Sequence, residues 1–149
     1  SSIQNTPKEA EMAIYGIGCD YAGKYVGDDF YSTGVACIGY GLEDKPYLYG
    51  IMREIGIGDL VIIKSFFQRG GKQVLRVKGI GIVTDNKLKK VRNLGQCIDV
   101  KWLKYDADGL LELEYTKDEF DAGVQRRTTI YKEYNPDICK KLVQLLVEF

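Results

Sequence analysis

Residues 56–84 constrain the fold of this chain more than any other stretch, because they spell two long β-strands joined at a glycine turn. Leu60-Val61-Ile62-Ile63 continues through Lys64 and Ser65 to Phe66 and Phe67, a run of branched and aromatic residues with high strand preference. Gly56-Ile57-Gly58-Asp59 introduces the run, and Gln68-Arg69-Gly70-Gly71-Lys72 supplies a polar turn in which glycine tolerates positive φ. The return, Val74 to Val83, alternates apolar and other residues over most of its length, as a strand with one buried face does. Gly79 and Gly81 leave one face without side chains, which permits a sharp bend or close backbone approach. A hairpin that coils in this way suits a small barrel.

The rest of the chain reads as material packed on that pair. At 149 residues it is most economically one domain, able to bury a core without disulfide or metal staples. Residues 1–11 are polar, aperiodic and contain Pro7, so a flexible N-terminal arm is expected there and a single domain over 12–149. The first strand is Met12 to Gly18, followed by a glycine-rich aromatic segment from Cys19 to Tyr31 with too many breakers for a long helix. Gly34 to Tyr40 is a second strand, apolar enough for burial on both faces. A short helix can start at Pro46. After the hairpin, Asp85 begins a charged connection through Lys87, Lys89, Lys90 and Arg92 to Gly95. Cys97 to Tyr105 alternates with Ile98, Val100 and Trp102 on one face. Leu110 to Tyr115 and Arg127 to Tyr131 are further strands. Asn135 or Asp137 caps a closing helix with an apolar stripe of Ile138, Leu142, Leu145 and Leu146. The expected class is therefore α+β, mainly β: six or seven strands in a mixed or antiparallel sheet, curled into a small barrel, with short flanking helices and a C-terminal helix.

Composition narrows the chemistry. There is no histidine, which removes the commonest general base, the Ser-His and Cys-His nucleophile pairs and the commonest metal ligand. Asp28-Asp29 and the Asp118, Glu119, Asp121 group read as solvated turns or helix starts, and no phosphate-binding or dinucleotide fingerprint is present. Cys19, Cys37, Cys97 and Cys139 lie far apart without Cys-x-x-Cys spacing, so buried free thiols in a reducing cytoplasm are expected, with no metal and no cofactor. No stretch is long and apolar enough to cross a bilayer, and a soluble cytoplasmic protein is expected. With 21 basic and 21 acidic residues, bulk charge does not grip nucleic acid, so such a partner needs a local patch or pocket. The basic cluster Lys87, Lys89, Lys90 and Arg92 is the one marked asymmetry, read either as a solvated loop or as a phosphate contact. Aromatics make the stronger case: 11 tyrosines, five phenylalanines and one tryptophan suit a pocket that stacks on a flat or cationic group. Trp102 stays open between core and ligand contact.

The order of these segments resembles the PUA-like superfamily. Gly34 to Tyr40 (Gly-x-x-x-Ile-Gly-Tyr), residues 55–64 (Ile-Gly-Ile-Gly-Asp-Leu-Val-Ile-Ile-Lys), 80–84 (Ile-Gly-Ile-Val-Thr) and 100–102 (Val-Lys-Trp) carry the likeness, which covers about residues 12–132. Within the superfamily the chain resembles EVE-like domains of McrB-type modification-dependent restriction systems. The resemblance implies a barrel with a concave pocket for one base flipped from nucleic acid, often a modified one. Flipping costs a few kcal/mol of unstacking, offset by stacking and edge hydrogen bonds. Carried over by position, the pocket draws on Tyr15, Gly16, Cys19, Tyr21, Tyr25, Phe30, Tyr40, Lys64, Ser65 and Trp102. Tyr15 and Tyr40 stand where tryptophan is frequent in such domains.

The expected function is non-enzymatic recognition of a modified, methylated base, on DNA in preference to RNA, within a restriction or anti-phage system that includes a GTPase, ATPase or nuclease partner. The alternative is a protein-interaction or regulatory domain on the same fold, its pocket filled by Tyr21, Tyr25 or Phe30.

Overall fold

The computed structural model describes residues 12–116, 118–119 and 125–148; the expected arm at 1–11 and Asp121 lie outside them. The elements are β1 (Ile14–Ile17), β2 (Asp20–Tyr21), β3 (Lys24–Tyr25), α1 (Gly27–Thr33), β4 (Val35–Ile38), α2 (Pro46–Met52), β5 (Leu60–Arg69) and β6 (Lys72–Val91). They continue with β7 (Gly95–Tyr105), β8 (Leu111–Tyr115), a 3-10 turn at Gln125–Arg127, β9 (Ile130–Lys132) and α3 (Pro136–Val147). Among the described residues no helix is long and apolar enough to cross a membrane.

The hairpin forms as its sequence dictates. β5 and β6 pair antiparallel from Arg69↔Lys72 inward, turning at Gly70 and Gly71, whose φ values of 58° and 78° are those glycine adopts without strain. Around this pair the sheet runs β4-β7-β6-β5-β1-β9, and β8 adds to β6 beside its first half. All pairings in it are antiparallel except β1 with β5, so the seven-stranded sheet is mixed. The class is the α+β, mainly β one expected.

β5 explains how the two faces are covered. Leu60 and Ile62 enter one apolar cluster with Leu75, Val77, Ile80 and Leu113, closed by Ile138 and Leu142 of α3. Val61 and Ile63 enter the other, with Phe30 of α1, Leu48, Tyr49 and Met52 of α2, and Val35, Ile38, Ile98 and Val100. A strand buried on both sides needs an uninterrupted apolar run, which is what residues 60–63 are. Asn135 caps α3, its side-chain oxygen accepting from the Asp137 and Ile138 amides at 2.9 and 3.2 Å.

Three expectations are corrected. Residues 85–91 are strand, not connection: β6 continues to Val91 against the start of β7, with Lys89↔Cys97 and Lys90↔Gln96. Thr84 to Lys87, Lys89 and Lys90 are exposed, so this end carries none of the buried alternation that marks a strand in sequence. The final strand begins at Ile130, later than expected, because residues 125–127 take a 3-10 turn. Finally, Cys37 and Cys97 are not free thiols. They are cross-strand partners of β4 and β7 joined as a disulfide, and only Cys19 and Cys139 are free. Pairing across 60 residues of chain left no spacing signature to read.

Two outcomes follow. Alkylation of the denatured, unreduced protein should label two cysteines, and four after reduction, by intact mass. At Gly95, φ is 99° and a Cβ would collide with the Ile38 carbonyl, whereas Gly71 faces open space. Gly95→Ala should therefore lower the urea-unfolding free energy by about 3 kcal/mol, against about 1 kcal/mol for Gly71→Ala.

Candidate functional site

The register of the hairpin slips between Ile63 and Lys64: Ile63 pairs with Gly79 but Lys64 with Val77, leaving Lys78 as an extra residue. Such a bulge re-aims side chains and bends the strand. Lys64 and Lys78 both reach a cleft of about 630 Å³ on that side of the sheet. The β2–β3 ribbon forms one wall of it, Gly39 and Tyr40 after β4 another, and Lys64 to Phe66 of β5 with Arg127 to Thr129 the remainder.

Lys64 is only 7% exposed. Its Nζ donates to the Arg126 carbonyl at 2.8 Å and the Thr128 carbonyl at 2.6 Å, tying β5 to the segment that precedes β9. Burial lowers its pKa to about 8. The neighbouring Cys19 is buried, and its thiol is pushed up to about 12 by desolvation, against the opposing pull of Lys78 and a hydrogen bond with Tyr25.

The aromatic lining is held by polar contacts. The Tyr21 hydroxyl donates to the Leu94 carbonyl at 2.7 Å, and its ring lies so close to Gly39 that a Cβ there would come within 2.9 Å of it. Tyr25 and Tyr31 share a hydroxyl–hydroxyl bond of 3.0 Å, and the Lys78 ammonium sits 4.6 Å from the Tyr25 ring centre. Burial raises the pKa of Tyr21, Tyr25 and Tyr31, so all three stay neutral phenols. Tyr40 is 43% exposed with Lys45 Nζ 3.9 Å over its ring, and Arg127 approaches the Phe66 ring at 5.8 Å. The ribbon turns through Ala22 and Gly23, both at positive φ, with the Asp20 carboxylate accepting the Gly23 amide at 2.7 Å.

Of the ten pocket residues expected from sequence, Cys19, Tyr21, Tyr25, Tyr40, Lys64 and Ser65 line this cleft. The other four stand outside it. Tyr15 and Phe30 are buried in the core, and Gly16 lies under the Tyr131 ring. Trp102 braces the fold: its indole N–H donates to the Phe30 and Val35 carbonyls at 3.1 and 3.0 Å, and its ring meets Tyr31 edge-on. Phe66, Lys78, Arg127, Thr128 and Thr129 were missed. The only signal for Lys78 was a charge interrupting an apolar strand beside glycine. The basic cluster lies elsewhere: Lys90 lines a second cleft of about 460 Å³ with Arg53 and Leu88, sharing Gly39 and Tyr40 with the first. Lys89 pairs with Asp99 at 2.5 Å, Lys87 is exposed, and Arg92 sits in the turn before β7. Among the described residues no cluster of three carboxylates or thiols is placed to hold a metal ion.

Fold and cleft together define a small α+β domain with an aromatic, cation-lined recess where its central hairpin bends. Its architecture is shared with the YTH domain of the Zygosaccharomyces rouxii MRB1 protein, solved in complex with N6-methyladenosine RNA. The two superpose with a TM-score of 0.53 over 94% of this chain and 87% of that one, at 11% sequence identity. No protein-family model matches the chain, and no curated protein matches it significantly.

The unfolded chain keeps Lys64 protonated up to about its ordinary value of 10.5, whereas the folded chain releases that proton near 8. Between those values the unfolded state binds more protons, so this lysine adds stability as pH rises. In a Cys19→Ser background, the unfolding free energy of the chain with Lys64 relative to Lys64→Met should climb from pH 8 to 10.5. NMR titration of the Lys64 ε-methylene should place its midpoint near 8, and a midpoint at the ordinary lysine value would refute the assignment.

Proposed function

We propose that this chain is a non-enzymatic nucleic-acid-binding domain that accepts a modified base, flipped from its strand, in the cleft between the β2–β3 ribbon, Tyr40 and Lys64. The observation that carries this reading is the convergence of Tyr21, Tyr25, Tyr40 and Phe66, with Ser65 and Thr128–Thr129 beside them, in one recess. Aromatic faces supply stacking, worth about 1–3 kcal/mol per base, and hydroxyls and carbonyls supply edge hydrogen bonds. Support also comes from the shared architecture with a domain that was solved bound to N6-methyladenosine RNA. The EVE-like resemblance favours DNA as the strand, and a place in a restriction or anti-phage system beside a GTPase, ATPase or nuclease. The YTH domain brings RNA in as the competing strand type, so both belong in the test.

In that test, fluorescence anisotropy at low salt compares short single-stranded DNA and RNA carrying N6-methyladenine, 5-methylcytosine, 5-hydroxymethylcytosine or no modification. A modified oligonucleotide should bind at least tenfold more tightly than its plain counterpart. Tyr40→Ala should weaken it about tenfold with little loss of stability, since Tyr40 is half-exposed. Equal or undetectable binding across the whole set would refute the reading.

A further inference from the structure

The charge of the cleft is at odds with that of the chain. Overall the protein is neutral, with 21 basic and 21 acidic residues, and Arg69, Arg76, Lys89, Arg126 and Lys141 each pair with a carboxylate. Lys64, Lys78 and Arg127 reach one recess from three different segments, and among the described residues none of them pairs with a carboxylate. Among the described residues Asp20 is the only acid in the lining, and it is exposed and engaged with the ribbon's own turn. No other described residue of the lining supplies counter-charge. Cys19 feels both Lys64 and Lys78 yet stays a protonated thiol because burial outweighs them, and the tyrosines stay neutral phenols.

Neutral acceptors take up part of this positive charge. Lys64 gives two of its three N–H donors to backbone carbonyls, Lys78 rests on the Tyr25 ring, and Arg127 rests near Phe66 with a 3.5 Å contact to the Gln73 side chain. Carbonyl dipoles and aromatic faces hold a cation in place without cancelling it. The recess is therefore electropositive, with a stacking surface alongside.

We infer that the group bound beside Lys64, Lys78 and Arg127 in this cleft is anionic, a phosphate or a carboxylate carried by the nucleoside whose flat ring the aromatics receive. This rests on the base-binding reading and specifies its ligand: a nucleotide held through its own phosphate, or a base whose modification is acidic, rather than one distinguished by a methyl group alone. A methyl group offers three convergent cations nothing to bind. A phosphate or carboxylate offers each of them charge-assisted hydrogen bonds.

The probes are free ligands added to the full chain and read by calorimetry and NMR shift perturbation: 2′-deoxycytidine, its 5-methyl and 5-carboxyl derivatives, and 2′-deoxycytidine 5′-monophosphate. The 5-carboxyl nucleoside, the monophosphate or both should bind at least tenfold more tightly than the neutral pair, and which of them does so identifies the source of the charge. Lys78→Gln with Arg127→Gln should reduce that preference, taken as the ratio of anionic to neutral affinity on the same variant, to threefold or less. Lys64 is kept intact because it ties two segments together. If 5-methyl-2′-deoxycytidine binds as tightly as the anionic ligands, or the double variant keeps their advantage, this inference falls while the base-binding reading stands. If anions bind but modified and plain oligonucleotides bind alike, the modified-base reading falls and the anionic site stands. No binding of any ligand at millimolar concentration overturns both.

Discussion

One strand sets the geometry of this molecule. β6 carries hydrogen bonds to β5 on one edge and to β8 and then β7 on the other, so three strands take their register from it. A strand of 20 residues paired this way cannot stay straight, because right-handed twist accumulates along it. The register shifts at Ile63/Lys64, Ile80/Gly81 and Val83/Asp85 are where that twist is absorbed. Gly79 and Gly81 make the bend feasible: a Cβ at Gly81 would stand 2.6 Å from Val100 and 2.7 Å from the Lys101 carbonyl, and one at Gly79 2.7 Å from the Tyr31 hydroxyl. The cleft is a consequence of this bend. Lys78 is the extra residue at the first shift, and Lys64 is the residue that shift re-aims.

A second constraint is a line of buried polar contacts that holds the far wall. Arg126 and Glu133 form a bidentate ion pair with side chains 4% and 1% exposed, Nε to Oε1 at 3.0 Å and Nη2 to Oε2 at 2.6 Å. Lys64 then grips the carbonyls on either side of Arg127. An ion pair this buried gains little net stability over apolar packing, because desolvation offsets the attraction, but removing one partner leaves an uncompensated charge and costs about 3–5 kcal/mol. Its structural effect is positional. Residues 126–129 have little regular secondary structure to fix them, and the pair together with Lys64 sets where Arg127, Thr128 and Thr129 meet the cleft.

What the sequence disclosed follows from the same physics. Periodicity is visible wherever one face is buried and an apolar run wherever both are, so the hairpin, the apolar strand at residues 35–38, the face carrying Ile98, Val100 and Trp102, and the capped C-terminal helix could all be read directly. Pairing that depends on distant segments was not visible. The parallel contact of β1 with β5, the Cys37–Cys97 bond and the exposed end of β6 belong to that group. The site divides in the same way. Tyr21 and Tyr25 stand in an aromatic, glycine-punctuated ribbon whose composition already suggested a recess. Lys78 and Arg127 are single charges whose meaning depends on a bulge and on a 3-10 turn. Trp102 shows the limit of residue type as a guide, since a lone tryptophan fits a ligand cage and a core brace equally well until the partners of its N–H are known.

The contrast between a neutral chain and an electropositive recess bears on how a charged strand would find this domain. Long-range steering scales with net charge, and here it is absent, so encounter rates should sit near the ordinary range for uncharged partners. Under the proposed function, discrimination would then come from contacts made after encounter, at distances where screening by salt is weak. Tyr40 stands where that transition occurs. It forms the shared rim of the main cleft and of the second cleft that carries Arg53 and Lys90, and its carbonyl is fixed by the Tyr49 hydroxyl at 2.6 Å. A strand laid across Tyr40 would have cations available on both sides of an exposed ring, with the one buried cation, Lys64, on the side of the main cleft. In that arrangement the Arg53 and Lys90 side would contribute hold on the backbone, and the Lys64 side, where a strand bulge and an ion-paired wall set the cations, would tell one ligand from another.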